Sequence, residues 1–374
     1  MQKTTIVDST KSENVTRQAQ RLGVIMRVLP VIGLTLLAVI VLAAIAFDWF
    51  RLVLLILFLA LAGLALVGGL YQAHAVERDR RNFPPVGILS DAGGFKLHLL
   101  VQGEDTDKPT VILESGMAGL GMLWHWVQTE LAGETRVVAY DRAGFGWSEV
   151  SPNPRTAQDC ARELHAALVN AGISGPYVLA GWSFGGLIVR AFADLFANEV
   201  VGLTLVDASH PDQWLHMPVP NANRLLGRSM RIQGELCRFG YGRLNPAAVN
   251  MLTEGLPKAK RQALLAWMAL HNCWKSESQQ AMLWNETSRL QVNKAKPLGD
   301  LPIYLLGVSE QPLYGEELTR LQEDLVTISS NTSRSIVQSA THEALVAKRE
   351  FAVQVAQAIR RVIHAAQTGE ALTQ

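Results

Sequence analysis

Gly181-Trp182-Ser183-Phe184-Gly185 follows an apolar run, Tyr177-Val178-Leu179-Ala180, and leads into Gly185-Gly186-Leu187-Ile188-Val189-Arg190-Ala191, a small-residue segment suited to a helix. Strand, sharp turn and helix are the setting in which a G-x-S-x-G pentapeptide presents its serine. The turn is tight and strained, and only glycines on either side let the helix pack back on the strand. A chance pentapeptide with an inert serine is the competing reading. The flanking context favours Ser183 as a nucleophile.

Outward from this turn the chain alternates strand and helix signals. Residues 96–101, 110–114, 136–140 and 201–206 read as strands around the one before Ser183. A helix is expected to open at Thr156, with Asp159 three residues on as its capping-box partner, and to end at Ala171-Gly172. Short strands separated by helices predict an α/β fold, a mostly parallel central sheet with helices on both faces. The rhythm breaks over residues 208–300, a stretch rich in helix formers with Trp214, Trp267, Trp274 and Trp284. That is too long for a plain loop and predicts an inserted helical cap. The pattern resumes at residues 301–306 and 335–337, and a closing helix carries Phe351, Val355, Ile359 and Val362 on one face.

The N-terminal part is of another kind. Val28 to Phe47 and Leu52 to Tyr71 are uncharged apolar runs, each about the length of a bilayer core, joined by Asp48-Trp49-Phe50-Arg51. Neither has a polar face, so a transmembrane hairpin is expected, and with it the lipid bilayer as a partner of residues 28–71. Lys11, Arg17, Arg21 and Arg27 precede the first run, and Arg78, Arg80 and Arg81 follow the second, against Arg51 alone between them. This places both ends in the cytoplasm and makes the chain a two-span, multi-pass membrane protein with a cytoplasmic catalytic domain. Cys160, Cys237 and Cys273 are an odd, scattered set that does not look like a disulfide framework. The net charge of +1 speaks against nucleic acid. The expected organisation is a tail at 1–27, the hairpin (28–47 and 52–71), a charged linker at 72–86 ending in Pro84-Pro85, a domain at 87–366 with the cap at about 208–300, and a tail at 367–374.

One more motif carries a resemblance. Tyr140-Asp141-Arg142-Ala143-Gly144-Phe145-Gly146-Trp147-Ser148 resembles the D-R-x-G-x-G-x-S turn of capped α/β-hydrolases. With the elbow downstream, the chain from about residue 86 onward looks like that family's α/β-hydrolase fold. The resemblance makes Asp141 and Arg142 scaffold rather than catalysts. It also implies the order nucleophile, acid, histidine. Serine needs a base and an oriented partner. His342, in Ser339-Ala340-Thr341-His342 between the last strand and the closing helix, stands where the family holds its base. His210 follows the sixth strand too soon, and is expected to line the pocket or to cap. His271 and His364 fall on expected helices. For the acid, Asp207 at the end of the sixth strand is favoured. Glu310, after the seventh, is the alternative, because Gly307 arrives one residue earlier than in the family pattern.

The resemblance further implies an oxyanion hole from the backbone N–H groups of Phe184 and Met117, with Ser115 in place of the usual histidine. A serine hydrolase cleaving an ester, less readily an amide, of an apolar small molecule or lipid is therefore expected. Ser183 argues against dehalogenation and epoxide opening, which resemble families with an aspartate nucleophile. Peptidase, carbon–carbon bond hydrolase and perhydrolase chemistry stay open, as does a ligand-binding sensor. No metal motif or phosphate-binding glycine loop is present, so no metal and no cofactor is implied.

Overall fold

Strands buried on both faces read as continuous apolar runs rather than alternating ones, and five strands here do so. In the computed structural model, which describes residues 34–42, 48–309 and 315–372, the chain forms eight strands. These are β1 (Ile88–Asp91), β2 (Lys96–Gln102), β3 (Thr110–Glu114), β4 (Val137–Asp141), β5 (Tyr177–Trp182), β6 (Val200–Val206), β7 (Ile303–Val308) and β8 (Thr332–Val337). They make one sheet in the order β1-β2-β4-β3-β5-β6-β7-β8. β1, β2 and β4 pair antiparallel; from β4 to β8 every pairing is parallel. Apart from Val201, every residue of β3 to β7 is buried.

Alternate residues of these strands feed two cores. Val111, Leu113, Val178 and Ala180 face Val127 and Leu131 of one helix (His125–Leu131, here α2) and Val355, Ile359 and Val362 of the closing helix. Ile112, Leu179 and Leu203 face the opposite way, onto α3 (Ala157–Asn170) and α4 (Gly185–Leu195). The start of α3 is the expected one: Thr156 caps it and accepts from the Asp159 N–H at 3.2 Å. At its end Gly172 takes a left-handed φ of +70°.

Between β6 and β7 lies a helical insertion whose main members are α5 (Ala222–Cys237), α6 (Lys258–Met268) and α7 (His271–Leu283). Glycines let α5 and α7 approach closely. A Cβ at Gly227 would lie 2.5 Å from Met282 Cγ, and one at Gly234 3.1 Å from Trp274 Cβ. The chain then completes α8 (Gly315–Asp324) and α9 (Arg349–Thr368).

The N-terminal expectations need correction. Asp48–Asn82 is one 35-residue helix, α1. The expected turn at 48–51 is its first turn, and residues 72–82 of the expected linker are its last three turns. Nothing in 72–82 breaks a helix, Glu77 and Arg81 pair at i,i+4 spacing, and only Pro84-Pro85 stops the run. Among the described residues α1 alone is long and apolar enough to cross a membrane, with a mean hydropathy of 2.8 over a window left wholly unburied. Of the expected first span only residues 34–42 are described, and they are helical. The rest of that span lies outside the described residues, as do the tail at 1–27 and the chain's last two residues.

Candidate active site

Ser183 has φ +56°, the left-handed backbone that the elbow demands of a non-glycine residue. Its glycines are required by contact. A Cβ on Gly181 would sit 2.7 Å from both Gly185 O and Val189 Cγ2, one on Gly185 2.5 Å from Glu114 O, and one on Gly186 2.5 Å from Ala208 Cβ. The helix α4 can start only because these side chains are missing.

Asp207 leaves β6 with φ +40°, its N–H donating to Leu306 O at 2.6 Å. This turn aims its carboxylate across the end of the sheet, where Oδ2 lies 2.6 Å from His342 Nδ1. The aspartate side chain is 6% exposed and the imidazole 36%, so the acid is shut away while one edge of the ring can be reached. Trp182, next to Ser183, ties the histidine to the elbow. Its Nε1 donates to His342 O at 3.1 Å, and its indole lies against the imidazole with ring centres 4.9 Å apart. Burial lowers the imidazole pKa, but the hydrogen bond that the ring donates to Asp207, the charge of that carboxylate and that of Glu343 outweigh it, so the ring titrates above its ordinary value. Gln322 of α8 donates to Ala208 O at 3.0 Å and reaches Asp207 Oδ1 at 3.4 Å. Of the two candidate acids, the structure brings Asp207 to His342; Glu310 lies outside the described residues.

The loop after β3 lies against the elbow. A Cβ at Gly116 would be 3.1 Å from Ser183 Cβ, so backbone takes the place of side chain there. Met117 follows, half-buried. Ser115, where the resemblance leads one to expect histidine, donates its hydroxyl to Leu120 O at 2.9 Å and folds the loop back on itself. Arg142 grips the same loop from beneath. Its guanidinium donates to the carbonyls of Ser115 (2.6 Å), Gly116 and Met117 (3.0 Å), pairs with Glu114, and reaches Gln280 Oε1 of α7 at 3.0 Å. Glu114 also accepts from Tyr140 Oη. Burial raises the Glu114 carboxyl, and Arg142 and Tyr140 oppose that rise.

Asp141 is taken up by its own turn and by β2. It pairs with His98 Nδ1 at 2.9 Å and accepts from the N–H groups of Gly121 (2.9 Å) and Trp147 (3.3 Å), which shapes the turn. His210 Nδ1 accepts from the Asp212 N–H at 3.1 Å, a capping contact. His271 opens α7 with Nδ1 on Gly234 O at 3.0 Å, and His364 lies on α9 beside Glu370. The insertion's tryptophans split: Trp284 and Trp267 are core, Trp284 packing on Phe184 with ring centres 4.9 Å apart. Sequence reasoning missed Glu114, Gln280 and Gln322. A lone carboxylate ending the apolar β3 was a signal for the first; the other two carried none.

A strained serine, a histidine held by a buried carboxylate, and a backbone loop fixed against the serine are the parts that nucleophilic acyl transfer uses. A model described as the alpha/beta hydrolase family matches residues 111–355. The uncharacterized protein YbdG of Bacillus subtilis is 25% identical over 201 residues, 53% of this chain and 61% of that protein. An uncharacterized vacuolar membrane protein of Saccharomyces cerevisiae is 31% identical over 113 residues, 29% of this chain and 18% of its own length. The chain thus spans about three fifths or less of the length of these relatives. Among solved structures, a thermophilic esterase from Thermogutta terrifontis superposes with a TM-score of 0.56 at 22% identity, over 75% of this chain and 98% of the esterase, a likeness of fold.

Proposed function

The chain belongs to the alpha/beta hydrolase family, with a family match over residues 111–355 that takes in the elbow, Asp207 and His342, and we propose that it is a membrane-anchored serine hydrolase acting on an ester of an apolar small molecule or lipid. The observation that carries the reading is the 2.6 Å contact of His342 Nδ1 with Asp207 Oδ2, on a histidine tied to the elbow of Ser183.

In this mechanism Ser183 Oγ attacks the ester carbonyl carbon while His342 Nε2 takes its proton. Asp207, hydrogen-bonded to Nδ1–H, holds the tautomer and stabilises the imidazolium that forms. The negative charge moving to the carbonyl oxygen is met by the N–H groups of Phe184 and Met117. Collapse of this intermediate breaks the carbon–oxygen bond, and the departing alkoxide takes the proton from His342. Water then gives a proton to His342 and attacks the acyl-serine, releasing the carboxylic acid and restoring Ser183 with its proton. Ester and water go in; acid and alcohol come out.

The apolar window of α1 supports anchoring in the bilayer. With the apolar run at 28–47 as a second span and cationic flanks on both outer ends, the hydrolase domain faces the cytoplasm. The test of the activity is hydrolysis of acyl esters of graded chain length by detergent-solubilised wild type, Ser183→Ala and His342→Ala. Each substitution lowers turnover by orders of magnitude, and the double variant is scarcely worse than either single one. Near-normal hydrolysis by either folded single variant overturns the mechanism.

A further inference from the structure

The helix α1 does not stand apart from the hydrolase domain. From Gly68 onward one of its faces packs on the insertion. A Cβ at Gly68 would meet Phe239 O at 2.6 Å, and Tyr71 lies against Gly240. Gln72 Nε2 donates to Ala269 O at 3.0 Å, while Arg243 donates to Gln72 Oε1 (2.7 Å) and to Asp79 Oδ2 (2.6 Å). Asp79 and Arg243 are both nearly buried, so the contact is a firm one.

This packing fixes the height of the insertion against a bilayer. Twenty apolar residues at 52–71 make a helix of about 30 Å, the thickness of a hydrocarbon core. Gly68 lies three residues inside the end of that stretch, about 5 Å by helical rise. Whatever touches Gly68 and Tyr71 therefore stands at the boundary between chains and headgroups. Phe239, which meets Gly68, is apolar and 48% exposed; Leu236, three residues before it, is 42% exposed, and Leu244, next to the Arg243 that holds Gln72, is 77% exposed.

Cations flank them. Along α5 and the turn that ends it, the exposed arginines 224, 228, 231 and 238 follow spacings of four, three and seven, beside the apolar residues Ile232, Leu236 and Phe239. Adjacent apolar and cationic stripes on one helix are the signature of an interfacial element. A cavity of about 330 Å³ opens beside the stripe, lined among others by Arg231, Glu235, Arg238, His271, Lys275 and Ser278. Arg238 is engaged by Glu235 and His271. Arg231 and Lys275 have no acidic partner among the described residues, and the buried Ser278 Oγ has no hydrogen-bond partner.

We propose that this edge of the insertion is a bilayer-docking surface, in which Leu236, Phe239 and Leu244 sit at the headgroup boundary and Arg231, Arg238 and Lys275 take the phosphates of anionic phospholipids. It rests on the reading of α1 as a membrane span, and it makes the helical insertion part of the membrane surface.

The test uses the full chain in nanodiscs, with a bimane label at Phe239→Cys or Leu244→Cys, the native cysteines being buried, and with Leu61→Cys as reference inside the span. Phospholipids brominated on their acyl chains near the headgroup are the quencher, and variants are first shown to keep their helical circular dichroism. In bilayers containing phosphatidylglycerol, labels at 239 and 244 lose at least half their fluorescence. Arg231→Glu with Lys275→Glu at least halves that quenching. Labels at 239 and 244 that stay unquenched while the one at 61 is quenched overturn the docking surface and leave the span standing. A label at 61 that resists brominated lipids at every acyl depth overturns the span and the docking with it. Quenching at 239 that is equal in neutral and anionic bilayers and indifferent to both charge reversals overturns the assignment of the phosphates.

Discussion

The backbone N–H of Ser209 donates to the carbonyl of Ser183 at 3.0 Å, and the N–H of Ser183 donates to Val206 O at 3.2 Å. The serine elbow and the turn carrying Asp207 are thereby laced into one unit on either side of the acid. Ser183 and Asp207 both sit at positive φ, a conformation that costs on the order of 1–3 kcal/mol at each non-glycine residue and persists only where the surroundings enforce it.

The carboxylate so held is expected to matter far more than the other candidate. Asp207→Asn keeps the shape but offers His342 the wrong hydrogen-bonding partner, and turnover should fall by up to about ten-thousandfold. Glu310→Gln should stay within about tenfold of wild type. Steady-state ester hydrolysis by folded variants checks the pair; the reverse ranking transfers the role to Glu310.

The pH profile follows from the same contact. As the proposed base His342 is active only when neutral, and it titrates above its ordinary value of 6.5. Activity should therefore be lost as pH falls through that raised value, placing the acid limb of kcat/KM above pH 6.5. In Asp207→Asn the raising hydrogen bond and charge are gone, so burial prevails and the limb should move to lower pH. A limb that does not move, or moves upward, contradicts the assignment.

Much of this was legible in the sequence, and the remainder was hidden for physical reasons. Glycines at 181, 185 and 186, the apolar strand before them and the Thr156 cap are local signals, and each leaves its mark within a few residues. β1 is four residues long and mostly exposed, too short for any period to show. The charged stretch 72–82 reads as linker in composition but continues α1, because its polar residues Gln72 and Asp79 find Arg243 more than 160 positions away. Gln322 reaches Asp207 across 115 positions from a helix that carries no motif. Partnerships of that separation are set by topology, which local patterning does not encode.

Arg142 is a case in which the scaffold reading has a measurable consequence. Its removal frees the carbonyls of Ser115, Gly116 and Met117 and strands Glu114 as a buried, uncompensated charge. Arg142→Gln should cost about 3–5 kcal/mol of stability, and adding Glu114→Gln should recover a large part of it. Thermal unfolding of the single and double variants measures this. A double variant no more stable than Arg142→Gln removes the buried pair as the cause.

Membrane topology is tested at the other end of the chain. The arginine flanks predict a cytoplasmic C-terminus. A phosphatase reporter fused after Gln374 should be silent and a fluorescent protein at the same point bright. An active phosphatase reporter reverses the orientation.

Covalent labelling tests the central claim most directly. Full-length protein treated with a fluorophosphonate should gain one adduct, located by peptide mass spectrometry on Ser183. The adduct should be absent in Ser183→Ala and formed orders of magnitude more slowly in His342→Ala. An adduct on another residue, or none on a folded protein that still hydrolyses esters, would contradict Ser183 as the nucleophile.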